Sequence, residues 1–371
     1  MRACVVVVMV WSSSVMARPL PKGLTVTFKG ETLYASQDGI TVPLLEESRA
    51  LADVIGDFKN AELSEDGAQI VVHAQSCLAG DEGLTVPLAS VTARLANARG
   101  MQVHVKKKYA DAIVQFAAAA HADADTPVYA TNLLSAQSMA KLYDDADKTI
   151  ATYAAAHAAW FGWRLAVDPE LANVRARASA KPYVAAKPSK LTVEALGDAI
   201  AVSPTGLVAL REWTFDGGPG APDNSFDLAI YDPTKDVLPV RLTAVPLEQA
   251  CGGMGGDCTK AQLAKQAASM RKLDPVVAGL GFEKRATTWA DAIGNDGKPI
   301  VSPDKRTTVT LDSSGSAVVT RGGKTTKVSI DGHLTGIGFA GDLVVVRMRE
   351  GGYIKCDGDA QRSYSKIVQL K

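Results

Sequence analysis

The feature that most constrains the fold is a repeat of fixed spacing between Leu88 and His157. The segment KYADAIVQFAAAAH at 108–121 is echoed by LYDDADKTIATYAA at 142–155. Tyr109 and Tyr143 lie 34 residues apart, and the same offset relates Ala112 to Ala146. A period of this length is typical of stacked helix–turn–helix units, each of which buries one face against its neighbour. The sequence therefore predicts two consecutive helical hairpins here.

Small residues recur at the predicted contacts between these helices. Ala112 and Ala146 occupy equivalent positions in the second helix of each unit, and Gly100 lies in the first helix of the first unit. Helices pack at 8–10 Å only where the side chains between them leave room. We therefore expect Ala112 and Ala146 to be buried, and Gly100 to mark a close approach of two helices.

The stretch resembles the tetratricopeptide repeat, over about 70 of the 371 residues. The first unit matches the family at its glycine, two small positions and one large position, which are Gly100, Ala112, Ala119 and Phe116. Ala146 and Ile150 match in the second unit, but Leu134 replaces the glycine and Tyr153 replaces the second small residue. The first unit also lacks the early tryptophan of the family.

The resemblance implies a function in protein or peptide binding, within the concave groove that such helices form. The polar side chains of the first helix in each unit would line that groove. The candidate partner-binding residues are Asn97, Gln102, Asn132 and Gln137.

Two repeats are fewer than the roughly three that a stable stack needs, so another segment must cover their open face. The aromatic sequence AWFGWRLAVDPELANVRARA at 159–178 is the candidate. The predicted organisation is a β-rich segment at 18–88, a helical domain with its cap at 89–178, a linker at 179–190 and a β-rich domain at 191–371. One helix, at 259–273, interrupts the last of these.

The β-rich segments share a polar turn with glycine that leads into a strand. This pattern occurs in LSEDGAQIVV (63–72), VSPTGLVAL (202–210) and LDSSGSAVV (311–319). Such units resemble β-propeller blades, although their spacing is irregular and a β-sandwich explains them nearly as well. The predicted fold class is α+β, with the helical repeats flanked by propeller-like or sandwich-like segments.

The N-terminus predicts an exported protein, periplasmic or extracellular. Arg2 precedes the apolar run VVVVMVW at 5–11, and small residues lead to a cleavage site after Ala17. Residues 1–17 are thus a predicted signal peptide, and no transmembrane segment is expected after its removal. The chain has 40 basic and 40 acidic residues, a balance that does not favour nucleic acid as a partner.

Four cysteines remain after residue 17, an even number that suits an oxidising compartment. Cys251 and Cys258 enclose the glycine-rich loop CGGMGGDC, so closing a bond between them costs little chain entropy. We therefore predict a Cys251–Cys258 disulfide. A Cys77–Cys356 bond is a further possibility, which would bring the two β-rich segments together.

No motif of the chain identifies an enzyme. The Gly-Lys-Thr of RGGKTT at 321–326 lacks the earlier glycine of a phosphate loop, and no nucleophile elbow or paired zinc-ligand spacing occurs. We predict no catalytic, cofactor-binding or metal-binding residue. Two alternatives to partner binding remain: a hydrolase or carbohydrate-binding protein with its site in the C-terminal β-rich domain, and a structural component of the cell envelope. An exposed polar groove on the helices would favour partner binding. A deep pocket in the β region on which acidic or histidine side chains converge would favour the hydrolase or carbohydrate-binding protein.

Overall fold

The computed structural model describes residues 18–29, 32–44, 58–74, 84–215, 225–235, 239–251, 258–292, 298–312, 315–330, 332–350 and 361–370. The predicted signal peptide at 1–17 and both Cys77 and Cys356 lie outside the described residues. The fold is mixed α+β, as predicted at that coarse level, and its strands form open antiparallel sheets.

The N-terminal part contains two three-stranded antiparallel sheets. Their strands are β1 (Thr25–Lys29), β2 (Thr32–Gln37), β3 (Ile40–Pro43), β4 (Phe58–Leu63), β5 (Gln69–Ala74) and β6 (Leu84–Pro87). Alternate residues such as Leu33 and Ile70 point to a common core and are fully buried. Val91 and Leu95 of the following helix belong to the same core, so that helix packs on the sheets.

Four helices follow and pack in sequence on one another: α1 (Leu88–His104), α2 (Tyr109–Ala122), α3 (Pro127–Met139) and α4 (Tyr143–Tyr153). Ala112 and Ala146 are both fully buried, as predicted. A Cβ atom added to Gly100 would lie 2.5 Å from Cε1 of Phe116, which confirms the predicted close approach of α1 and α2.

The turns inside the two hairpins have the same geometry. Lys107 and Lys141 both adopt the left-handed conformation, with φ of 60° and 61°. In each turn the N–H of the next residue, Lys108 or Leu142, donates to the carbonyl five residues earlier, over 3.1 and 2.9 Å. This is the hydrogen bond of a Schellman motif, which ends a helix sharply. The 34-residue repeat of the sequence is therefore also a repeat of local structure.

The segment after the hairpins covers α3. It contains α5 (Ala158–Val167), the 3-10 turn Pro169–Leu171, α6 (Ala172–Arg175) and α7 (Val193–Leu196). Phe161 and Leu165 are fully buried in the helical core, while Trp163 packs against the core of the C-terminal sheet. The predicted linker at 179–190 also contacts this layer, because Tyr183 and Val184 pack against the helical core.

The C-terminal part is dominated by a nine-stranded sheet. Seven strands follow the order β10-β9-β8-β19-β18-β17-β12, while β7 and β11 extend it beside β8. Their bounds are β7 (Ala201–Val202), β8 (Val208–Phe215), β9 (Phe226–Tyr231), β10 (Val240–Val245), β11 (Glu283–Lys284), β12 (Thr288–Asp291), β17 (Gly332–Ala340), β18 (Leu343–Glu350) and β19 (Gln361–Gln369). Helices α8 (Lys260–Arg271) and α9 (Asp274–Gly279) connect β10 to β11.

A four-stranded meander packs against one face of that sheet. It consists of β13 (Ile300–Val301), β14 (Thr307–Leu311), β15 (Ala317–Arg321) and β16 (Lys324–Val328). The three glycine-containing turns seen in the sequence are tight turns between paired strands. In each one a residue at the turn, Ser64, Ser203 or Asp312, accepts a backbone hydrogen bond from the glycine three residues later.

Cys251 and Cys258 form a disulfide, with their Cα atoms 5.4 Å apart. The bond lies between β10 and α8. Gln266 of α8 donates from Nε2 to Sγ of Cys251 over 3.1 Å. The predicted helix at 259–273 contains α8, which Thr259 caps by accepting from the N–H of Gln262. Within the described residues, no helix is both long enough and apolar enough to cross a bilayer.

The repeat geometry predicts an asymmetric response to added volume on α2. Ala112→Leu should reduce the free energy of unfolding by about 1–3 kcal/mol, because the added atoms meet a filled helix–helix contact. Ala110 lies on the exposed side of the same helix. Ala110→Leu should therefore change the free energy of unfolding by about 0.5 kcal/mol or less. Urea unfolding of both variants measures the difference, and equal stabilities would contradict the packing.

The disulfide should contribute to stability through the unfolded chain. Replacing both Cys251 and Cys258 by serine removes a short closed loop, which should lower the free energy of unfolding by about 2–3 kcal/mol in the loop-entropy model. Urea unfolding of the double variant, compared with the wild-type protein before and after reduction, tests this. A wild-type protein whose unfolding is insensitive to reduction would contradict the bond.

Candidate functional site

The two hairpin turns lie at the same end of the helical layer. Glu170, in the 3-10 turn after α5, contacts the last residues of both α1 and α3. His104 Nε2 lies 3.1 Å from the carboxylate of Glu170, and Ser138 Oγ donates to the Glu170 carbonyl over 2.5 Å. Because one residue bridges both helix ends, the turns that follow them are neighbours.

Exposed apolar side chains are concentrated at this end. Of the eight exposed large hydrophobic side chains in the described part of the chain, four lie here. Exposed lysines of the two turns lie beside them. We call this set the turn-end surface; its members are Met101, Val105, Met139 and Leu142, with Lys106, Lys107, Lys108 and Lys141.

The four lysines of the turn-end surface carry a local positive charge. None of their ammonium groups forms an ion pair with another described residue. On α4, Asp144 pairs with Arg177 and Asp145 with Lys148, whereas Asp111 in the first turn of α2 is an exposed acidic residue close to the lysines in sequence. Apolar anchors beside unpaired cations are a composition that suits a partner with acidic and apolar groups.

The four residues predicted to line a groove lie in three different environments. Asn97 and Asn132 are half-buried and bond to each other, because Asn132 Nδ2 donates to Asn97 Oδ1 over 2.8 Å. Gln137 is only 6% exposed, and its Oε1 accepts from the hydroxyl of Thr149 over 2.9 Å. Its position inside the second hairpin removes it from the predicted surface. Gln102 is exposed and lies beside the turn-end surface.

The chain itself covers the face of α3 on which a groove would open. Trp160 Nε1 donates to the hydroxyl of Thr131 over 3.1 Å, and Ser135 Oγ lies 3.4 Å from Oδ2 of Asp168. These polar residues of α3 hold the covering segment. The cover also explains why α3 is buried on nearly all sides, which its sequence alone does not indicate.

A second polar arrangement occurs inside the nine-stranded sheet, where β8 and β19 separate. The two strands pair at Thr214–Arg362 and Phe215–Gln361. Further along, side chains fill the space between them. We call this cluster the polar seam; its members are Glu212, Tyr231, Arg241, Arg347, Ser363 and Ser365.

Hydrogen bonds of the polar seam replace the missing strand pairing. The Glu212 carboxylate accepts from Tyr231 OH over 2.8 Å and from Ser363 Oγ over 2.7 Å. The N–H of Ser365 donates to the Tyr231 oxygen, and the N–H of Trp213 donates to Ser363 Oγ. Glu212 is fully buried, and each of its two oxygens accepts a hydrogen bond from a side chain of the seam.

Burial also determines the ionisation of the polar seam. Burial, reinforced by the nearby carboxylate of Glu212, raises the pKa of Tyr231 well above its ordinary value. Burial lowers the pKa of Arg347 from its ordinary value, while Glu212 acts in the opposite direction. Tyr231 is therefore neutral at neutral pH.

Sequence reasoning missed the polar seam because its members are far apart in the chain. Ser363 and Glu212 are separated by 151 residues. One signal was present in the sequence: Asp227 interrupts the otherwise apolar run FDLAI, and Glu212 follows the apolar run VAL with only Arg211 between them. A carboxylate at an inward position of a buried strand indicates a partner in the fold.

Comparison with known proteins adds no relative from which a role could be transferred. No protein-family model matches the chain, and no curated protein or solved structure is similar to it.

Proposed function

We propose that this protein is an interaction module whose helical layer binds a protein partner at the turn-end surface. The observation that carries the proposal is the concentration of four exposed apolar side chains beside four unpaired lysines at one end of the layer. Water-exposed apolar side chains grouped with one sign of charge are typical of interaction sites.

The proposed scaffold is a tetratricopeptide-like pair of hairpins. Its support is the 34-residue period, the buried alanines Ala112 and Ala146 and the repeated left-handed turns at Lys107 and Lys141. The binding surface differs from the groove of the family, because the chain covers α3 with Trp160 and its own later residues. The propeller-like arrangement of the β-rich segments stays a prediction.

The partner we propose is an extended acidic segment that also carries apolar side chains. Met101, Val105, Met139 and Leu142 provide apolar contact, and the flanking lysines attract negative charge over a range of about 8 Å at physiological salt. Burying a side chain of Leu or Met size stabilises an interface by about 1.5–3 kcal/mol when it becomes fully covered.

We also propose that the protein acts outside the cytoplasm. The support is the signal-peptide pattern of the first 17 residues, together with the Cys251–Cys258 disulfide, a bond typical of oxidising compartments. N-terminal sequencing of the exported protein should begin at Arg18. Protein that retains Met1 and fractionates with the cytoplasm would contradict this location.

Selection from a displayed 16-residue peptide library tests the binding proposal. The library is enriched on wild-type protein alone, and the selected peptides are then measured on the double variant Val105→Ser/Leu142→Ser. We expect the enriched peptides to combine Asp or Glu with Leu, Phe or Trp. Their affinity, measured by fluorescence anisotropy, should fall at least about tenfold in the double variant, which corresponds to about 1.4 kcal/mol.

Val114→Ser is the matched control, because Val114 is 64% exposed on α2 but is not part of the turn-end surface. It should bind the selected peptides as wild-type protein does, and all variants should melt within a few degrees of one another. Equal affinity of the double variant, or enrichment of peptides without acidic residues, would contradict the proposal. Binding to anionic phosphatidylglycerol vesicles in place of peptides would assign the surface to a membrane instead.

A further inference from the structure

The space between the two halves of the nine-stranded sheet contains three arginines. Residues on one face of a strand recur every second position, so Arg347 and Arg349 of β18 project from the same face as the apolar Val345. Their direct cross-strand neighbours on β19 are Ser365 and Ser363.

Arg241 reaches the same place from the opposite half of the sheet. Its Nη2 donates to the carbonyl of Ser363 over 2.9 Å, and its Nη1 lies 4.0 Å from Oδ2 of Asp227. Arg241 and Arg349 therefore flank Ser363 from two sides, while Arg347 lies beside Ser365. Three guanidinium groups of the chain thus border one small region.

Several hydrogen-bonding groups in this region have no hydrogen-bond partner among the described residues, although Nη1 of Arg241 is ion-paired with Asp227 over 4.0 Å. They are Nη1 of Arg241, Nε of Arg347, Nε of Arg349 and the hydroxyl of Ser365, and all four atoms are buried. Ser365 is only 4% exposed, and its hydroxyl oxygen is itself buried. Buried polar groups in folded proteins are almost always hydrogen-bonded, so such a cluster indicates an acceptor.

The charges of this region also indicate an anionic acceptor. Glu212 and Asp227 are buried carboxylates on neighbouring strands, facing the three arginines. Counting these five groups leaves one positive charge in excess; Asp198, which is exposed, also acts on Arg347 from the edge. Buried charge is costly unless it is paired, and guanidinium groups pair best with the oxygens of carboxylate or phosphate.

We propose that the polar seam binds a small oxyanion, a carboxylate or a phosphate, held by Arg241, Arg347, Arg349 and Ser365. The bound oxygens accept from the guanidinium N–H groups and from the serine hydroxyl. The site is independent of the turn-end surface, and neither proposal depends on the other. An anion here would join β10, β18 and β19, and so would hold the two halves of the sheet together.

The experiment begins with the purified full-length protein, dialysed extensively against sodium chloride. Part of it is denatured, and ion chromatography of the released material measures inorganic phosphate and organic acids. The rest is melted and titrated calorimetrically with sodium phosphate, or with sodium acetate in a second arm, at matched ionic strength. We expect either about one anion released per chain or a saturable rise in melting temperature, and the responding arm identifies the anion.

Variants locate the site. Arg349→Gln and Ser365→Ala remove one donor each and should weaken the responding anion at least about tenfold, or abolish its retention through dialysis. Arg306→Gln changes an exposed arginine on the β13–β14 turn and should behave as wild-type protein.

Two results would overturn the proposal. One is wild-type protein that releases no anion and does not respond to either salt. The other is a response that Arg349→Gln and Ser365→Ala share fully with wild-type protein, since the anion would then bind elsewhere. If Arg349→Gln fails to fold, Ser365→Ala, which removes a single hydroxyl, still decides the question.

Discussion

The structure depends on the packing of α1 between two different neighbours. Val91 and Leu95 enter the core of the N-terminal sheets, while Ala93 and Ala96 on another side of α1 enter the helical core. A stack of two hairpins leaves two open faces, and each must be covered before the stack is stable. The N-terminal sheets cover the first face, and α5 with the segment that follows covers the second. The N-terminal sheets on one side and the α5 segment on the other therefore cap the two hairpins.

Features set by local chemistry were predictable from the sequence. The buried alanines and the close approach at Gly100 follow from helical periodicity and side-chain size, and both appear in the structure. The glycine-containing turns at 63–72, 202–210 and 311–319 join paired strands, and they too are determined by a few neighbouring residues. In each case the residues that determine the geometry lie within a few positions of one another, so a single sequence contains enough information.

The candidate site was predictable only in part, because exposure depends on distant segments. Gln102 and Gln137 look alike in the sequence, yet one is exposed and the other lies inside the second hairpin. The difference arises from packing between helices, because Gln137 faces α4, where the hydroxyl of Thr149 donates to its Oε1. The polar seam was missed because its contacts join residues even farther apart in the chain. Glu212 and Ser363 are separated by 151 residues. No periodicity within either strand indicates which carboxylate faces which hydroxyl.

The cover over α3 has a consequence for where recognition can occur. The hydroxyl of Ser138 already donates its hydrogen bond to the carbonyl of Glu170 within the chain. Displacing that segment would expose the fully buried Phe161 and Leu165, which costs about 1.5–3 kcal/mol for each side chain. A partner that binds this face must offset the free energy of exposing these side chains. Binding at the turn-end surface requires no such rearrangement. Because the caps cover these helix faces, the proposed binding site lies at the ends of the helices.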